Sequence, residues 1–197
     1  MAGKKVKTVD KWKMKKWYSV KAPQMFEGKE LCEAVASDDK RLLNRIVRSS
    51  LFELGMGGAS QMAMFTTLRF RIKDVNGTDA NTILLGHDIA PSFIRTFARR
   101  GKSLIHQVVK DKTKDNETLV IKLIAVTGAR VSENTRRNLR NILVEECKKG
   151  IAEKNFDELI QDVIYGRFSS KIFSRLKTIT RMRRVEIRRS ERGEVFK

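Results

Sequence analysis

Residues 62–75 alternate with a period of two, and nothing else in the chain narrows its fold as much. Met62, Met64, Thr66, Leu68, Phe70 and Ile72 fall on one face, while Thr67, Arg69, Arg71 and Lys73 fall on the other. Successive side chains of a strand point to opposite faces, so this pattern predicts a half-buried β-strand. Asn76-Gly77 follows, a dipeptide that accepts the positive φ of a tight hairpin turn. Residues 81–87 then return as the partner strand, with Ile83 and Leu85 on one face. Further strands are expected at 28–36, 44–54, 103–110 and 117–126, the last two joined by a charged loop at 112–117. In the last strand Leu119, Ile121, Leu123 and Ala125 alternate with Val120, Lys122, Ile124 and Val126. Both faces are largely apolar, which predicts a central position in the sheet.

The period changes after residue 130. Ser132 is placed to cap a helix whose stripe is Leu139, Ile142, Leu143 and Cys147, and Gly150 is expected to end it. Asn155, with Glu158 three residues on, predicts a capping box for a second helix that buries Leu159, Ile160, Val163 and Ile164, with Gly166 as its stop. A short helix at 91–100 fits Pro91 in the first turn and Gly101 past the end. Another is expected at 169–177, followed by a closing strand at 182–189 with Val185 and Ile187 on one face. The expected fold class is α+β, mainly β over 28–126 and mainly α over 132–177, without internal repeats.

Charge divides the chain differently. The 197 residues carry a net charge of +19 and an isoelectric point near 10.3. Residues 1–21 hold eight Lys against one Asp, residues 22–98 are neutral, and residues 99–197 carry a net +12. A neutral middle between basic flanks is the pattern of a folded segment with polyanion-binding appendages. The expected organisation is a basic arm, 1–21, on one globular domain, 22–197. Nucleic acid is the commonest such polyanion, and phosphate contacts would carry most of the affinity. In 11–26, Trp12, Met14, Trp17, Tyr18, Val20 and Phe26 are interleaved with lysines, and Ala22-Pro23 favours an extended backbone. Most of these rings are expected to anchor on the core while the lysines meet phosphate.

No catalytic constellation is visible. Cys32 and Cys147 lie too far apart for a metal pair and read as small core residues. His87 and His106 lack partners at ligand spacing, and His87 is expected to bond Asp88 or backbone. Asp38-Asp39 reads as a turn, and the glycine-rich stretch at 55–60 lacks the Lys-Ser/Thr of a phosphate loop. The most apolar run, 119–126, is interrupted by Lys122 and far shorter than the roughly 20 residues of a spanning helix. Neither metal, cofactor nor membrane is expected.

Particular residues add a family resemblance. Lys16-Trp17-Tyr18-Ser19-Val20-Lys21-Ala22-Pro23 followed by Phe26 resembles the opening signature of an archaeal and eukaryotic small-subunit ribosomal family, called S three a e or eukaryotic-type S one. Asp74-Val75-Asn76-Gly77 resembles its hairpin turn, Gly86-His87-Asp88 its Gly-x-Asp, Tyr165-Gly166 the end of its C-terminal helical region, and Arg183-Arg184-Val185-Glu186-Ile187-Arg188 its closing strand. The order holds from about residue 11 to 189, and the length is similar to archaeal members. One departure is Ile179-Thr180-Arg181-Met182, where the family has Tyr-Pro-Leu.

The resemblance implies an antiparallel barrel-like sheet with flanking helices. It implies a non-catalytic, ribosome-bound cytoplasmic protein on the platform of the small subunit, near the messenger exit region. Its implied partners are small-subunit ribosomal RNA, neighbouring ribosomal proteins and messenger RNA near the exit, with one copy per subunit. The residues expected to contact RNA are Lys4, Lys5, Lys7, Lys11, Lys13, Lys15, Lys16, Trp17, Tyr18 and Lys21 in the arm; Arg99 and Arg100 at the end of the short helix, with Lys102 and Arg130 beyond it; Arg136, Arg137 and Arg140 on the long helix; and Arg181, Arg183, Arg184, Arg188, Arg189 and Arg192 at the closing strand. A basic RNA- or DNA-binding protein outside the ribosome shares the charge and stays the alternative.

Overall fold

The structure, a computed structural model, describes residues 12–55 and 61–193. Along these the chain forms β1 (Lys16–Lys21), β2 (Glu30–Ala36), β3 (Ile46–Ser50), α1 (Gln61–Phe65), β4 (Thr66–Asn76), β5 (Asp79–Ile89), α2 (Pro91–Arg95), β6 (Leu104–Lys112), β7 (Thr118–Thr127), α3 (Glu133–Glu153), α4 (Phe156–Ile164), α5 (Arg167–Lys177) and β8 (Met182–Arg192). The fold class is α+β, as the change of period predicts. Strands pair in the order β2-β1-β5-β8-β7-β6, with β4 beside β5 and β3 beside β4.

The expectation of an antiparallel, barrel-like sheet needs correction. β1 and β5 run parallel, with Ser19, Val20 and Lys21 opposite Asp79, Ala80 and Asn81. A parallel pair needs a long crossover, which the intervening strands supply, whereas a two-residue turn can join only antiparallel neighbours. Among the described residues the path is not closed, since its end strands β2 and β6 do not pair with each other.

The described residues form two compact units. The first holds 12–47 and 70–84, the second 48–55, 61–69 and 85–193, so β4 and β5 contribute to both. In the first, Tyr18, Val20, Ala34, Ala36, Leu42, Ile72 and Ala80 form the core. Phe26 meets Phe70 edge to face, ring centroids 5.5 Å apart. Asn76-Gly77 makes the expected hairpin turn, Gly77 having φ +64°. The alternation holds from Thr66 onward, with Leu68, Phe70 and Ile72 buried. On β5, Ala80, Thr82 and Leu84 are buried and Ile83 is half-buried, and Leu85 is buried as well.

In the second unit β7 lies between β6 and β8, central as expected. Helices α3 and α4 both pack on α5, α3 also on β6 and α5 on β8. Residues 61–65 turn as α1 rather than extending β4, and Met64 faces outward. Residues 51–55 are turns, so β3 stops before the expected end at 54. Gly150 does not stop α3, which continues to Glu153. A Cβ at Gly150 would lie 2.4 Å from Cε2 of Phe168, so this glycine lets α5 approach α3. Asn155 precedes α4 but its side chain makes no capping bond; the Phe156 N–H donates to Asp115 Oδ2 at 3.2 Å, an acid from the β6–β7 loop. Ser132 does cap α3, accepting from the Thr135 N–H at 3.3 Å. Among the described residues, no helix is long and apolar enough to cross a membrane.

Candidate nucleic-acid interface

Lys4, Lys5, Lys7 and Lys11 lie outside the described residues. Lys13, Lys15 and Lys16 are exposed, and the Lys15 ammonium sits 3.5 Å from the Trp12 ring centroid. Neighbouring residues of β1 face opposite sides, so its two rings have different fates. Tyr18 is buried and its hydroxyl donates to Asp39 Oδ1 at 2.6 Å, a bond that raises the phenol above its ordinary pKa. Trp17 is 65% exposed and Trp12 70%. The expectation that most rings anchor therefore holds for Tyr18 and Phe26 and fails for the tryptophans. Tyr18 is a pin and has no free face for a base, while Trp17 does. Lys21 is half-buried and paired with Asp79.

Five arginines of β8 divide by register. Lys122 pairs with Arg189 but Leu123 with Ile187, and Val126 pairs with Arg184 but Thr127 with Met182. Arg188 and Arg183 are thus extra residues in two β-bulges, and they are the two fully exposed residues of the strand. A bulge leaves its extra residue out of the ladder and re-aims its side chain. The other three are engaged. Arg184 donates from Nε to Glu186 Oε1 at 2.8 Å and lies 4.7 Å from the Phe97 ring centroid. Arg189 pairs with Glu191 and, at 3.9 Å, with Asp88. Arg192 pairs with Glu117 and covers the Phe156 ring.

A second group comes from three separate stretches. The buried Thr127 hydroxyl accepts from the Ser103 N–H at 2.9 Å, the Ser103 hydroxyl accepts from the Val131 N–H at 3.2 Å, and Gly128 donates its N–H to the Arg181 carbonyl at 2.7 Å. These bonds tie the segments bearing Lys102, Arg130 and Arg181 into one corner, with Arg99 and Arg100 just upstream of it. Arg99, Arg100, Arg130 and Arg181 are exposed, and Lys102 is half-buried.

On α3, Glu133 Oε2 accepts from Arg136 at 3.1 Å and Oε1 from Arg140 at 3.2 Å. One carboxylate thus holds two guanidiniums along one edge, while Arg137 is exposed with no ion pair among the described residues. A carboxylate within the first helical turn also suits the helix dipole.

A buried polar network lies where the sequence pattern gives no sign of one. The alternation puts Arg69 on the outward face of β4, yet its side chain is 14% exposed; it donates to the Ser190 carbonyl at 3.2 Å and pairs with Glu191 at 3.6 Å. Burial, then Arg189 nearby, lowers its pKa. Burial opposes ionisation of Glu191, but Arg189, Lys122 and Arg69 outweigh it and hold the carboxyl below its usual range. Beside this network His87 is buried, with Nδ1 2.7 Å from Ser190 Oγ and Nε2 2.9 Å from the Ile187 carbonyl. The Ser190 hydroxyl accepts from the His87 backbone N–H, so its own proton goes to Nδ1, and Nε2–H donates to Ile187. The expected backbone partner is present; Asp88 is instead taken by Arg189. His106 is exposed on β6. Cys147 is a core residue whose thiol burial pushes up to about 12, but Cys32 is exposed on β2, against expectation.

Comparison with known proteins supplies the context for these surfaces. The model of the Ribosomal S3Ae family matches residues 3–194. The small ribosomal subunit protein eS1 of Methanobrevibacter smithii is 36% identical over 182 residues, covering 92% of this chain and 93% of the relative. Its counterpart in Sulfolobus acidocaldarius is 33% identical over 193 residues, 97% and 96% of the two chains. That of Methanothermobacter thermautotrophicus is 32% identical over 181 residues, 92% and 91%. Similarity that runs the length of both partners makes this chain a member of the ribosomal S3Ae family, a structural protein of the small ribosomal subunit and not an enzyme.

Proposed function

We propose that the chain binds small-subunit ribosomal RNA on the platform, near the messenger exit region, and there supports neighbouring ribosomal proteins as one copy per subunit. The observation that carries this reading is the division of its arginines: Arg183 and Arg188 stand outside the β8 ladder, while Arg184, Arg189 and Arg192 are engaged within the protein. Free guanidiniums can take phosphate oxygens in a bidentate manner at no cost to an internal pair. Arg99, Arg100, Arg130 and Arg181 at the loop corner, Arg137 on α3, and Lys13, Lys15, Lys16 and Trp17 in the arm add to the contact. Residues 1–21 act as the RNA-contacting stretch of the chain, its last residues also forming β1 of the first unit. Such contacts fix position, and RNA shape gives selectivity. Messenger RNA near the exit is a further contact. Membership of the family makes the chain a ribosome-bound protein of the cytoplasm.

The test is incorporation into small subunits followed by sedimentation at moderate salt. Wild-type chain should travel with the subunit, and the triple variant Arg137→Glu, Arg183→Glu, Arg188→Glu should be released from it. Equal affinity of the wild type for duplex DNA and small-subunit RNA would sink the reading.

A further inference from the structure

A cleft of the second unit lies where α4 hands over to α5, against β8, with a volume near 340 Å³. Gly166, at φ +73°, reverses the chain between the helices, leaving Tyr165 52% exposed on the cleft wall. Phe173 of α5 supplies a second ring. The Arg167 guanidinium lies 5.6 Å from the Tyr165 ring centroid, and the exposed bulge residue Arg183 lines the cleft from β8. Glu186 also lines it. Burial raises its pKa, and Arg184 opposes that shift through the bond to Oε1; the other oxygen has no hydrogen bond among the described residues. Rings for stacking, cations at the rim and one unspent acceptor make a nucleotide-shaped set. The excess of arginine over carboxylate favours an anionic strand over a protein side chain.

We propose that this cleft holds one unpaired nucleotide of the bound RNA, its base against Tyr165, an amino group of the base donating to Glu186, and its phosphate on Arg183. This deepens the RNA-binding reading and rests on it. It also accounts for the Tyr165-Gly166 pair, since the glycine turns the chain so that the ring is presented. Because the acceptor is a carboxylate oxygen, bases with an exocyclic amino group are preferred over uracil, which has none.

The probes are the ribohexamers of cytidylate and uridylate, which differ at the base by amino group against carbonyl, bound to the full chain at low salt. The cytidylate hexamer should bind about five-fold more tightly, the scale of one net hydrogen bond. Tyr165→Ala should weaken both about ten-fold or more, as loss of a stacked base does. Glu186→Gln, whose amide can donate to the uracil carbonyl, should abolish the preference, whereas Arg137→Ala should weaken both hexamers equally and keep it. A circular-dichroism melt unchanged from wild type excludes misfolding, Tyr165 being exposed and the Glu186 exchange isosteric. Equal binding of the two hexamers by wild type would overturn the proposal. So would an intact affinity in Tyr165→Ala, including the case where that variant fails only to enter subunits, which would assign the cleft to a neighbouring protein. If the chain bound neither hexamer nor small-subunit RNA, the RNA-binding reading itself would fall.

Discussion

Gly86 and His87 face one residue, Ser190, and both depend on how close it comes. At Gly86 φ is +146°, and a Cβ there would lie 2.1 Å from the Ser190 carbonyl oxygen. Backbone, unlike a flexible side chain, cannot give way. Gly86→Ala should therefore lower the unfolding free energy by about 3 kcal/mol or more, read from the urea midpoint. His87 makes a prediction about acidity. Burial, the largest cause, lowers its pKa below the ordinary 6.5. Below about pH 6.5 the unfolded chain therefore binds a proton that the folded chain refuses, and stability falls as pH falls, by at most about 1.4 kcal/mol per pH unit for one proton. Urea titrations at pH 7.5 and 5.5 should show a larger loss for wild type than for His87→Gln. An equal loss would mean that His87 is charged in the folded state.

Among the elements, the β6–β7 loop does more than turn the chain. Asp115 caps α4 from outside, and the Lys114 N–H donates to the Lys154 carbonyl at 3.2 Å, so the loop docks on the α3–α4 junction. Asp115→Ala should cost about 1 kcal/mol, the ordinary worth of a cap, whereas Asn155→Ala should leave the urea midpoint nearly unchanged. Local spacing favours Asn155 as the cap; the partner that won stands 41 residues away in the chain. The same limit explains the other differences. Local signals were legible: the β4 alternation from Thr66, the Asn76-Gly77 turn, the Ser132 cap, the central β7. Features set by distant partners were not, among them the parallel β1–β5 pair, the close packing of Gly150 on Phe168 and the burial of Arg69. Arginine suits either face of a strand, its stem on apolar surface and its head in water or in an ion pair, so no pattern of Arg in 181–192 could mark the bulges.

For the molecule as a whole, surface charge and folding are separable. Arg183→Ala and Arg188→Ala should each leave the melting temperature within about 1 °C, as surface changes do, and each should reduce the slope of log affinity for small-subunit RNA against log salt by about one. Arg184→Ala should behave differently. It strips Glu186 of its partner and uncovers Phe93 and Phe97, so it should lower the melting temperature as well. The site was legible in kind more than in detail. The run of arginines named the strand, but the register chose which of them are free. The two bulges also bear on how this strand can change over time. Arg189 opposite Lys122 and Ile187 opposite Leu123 are already in register on either side of Arg188, so removing Arg188 outright would leave a regular ladder with Ile187 and Ser190 still on the buried face. Position 188 therefore tolerates a change of length as well as a change of letter: its loss should straighten β8 and remove one exposed guanidinium while the chain still folds.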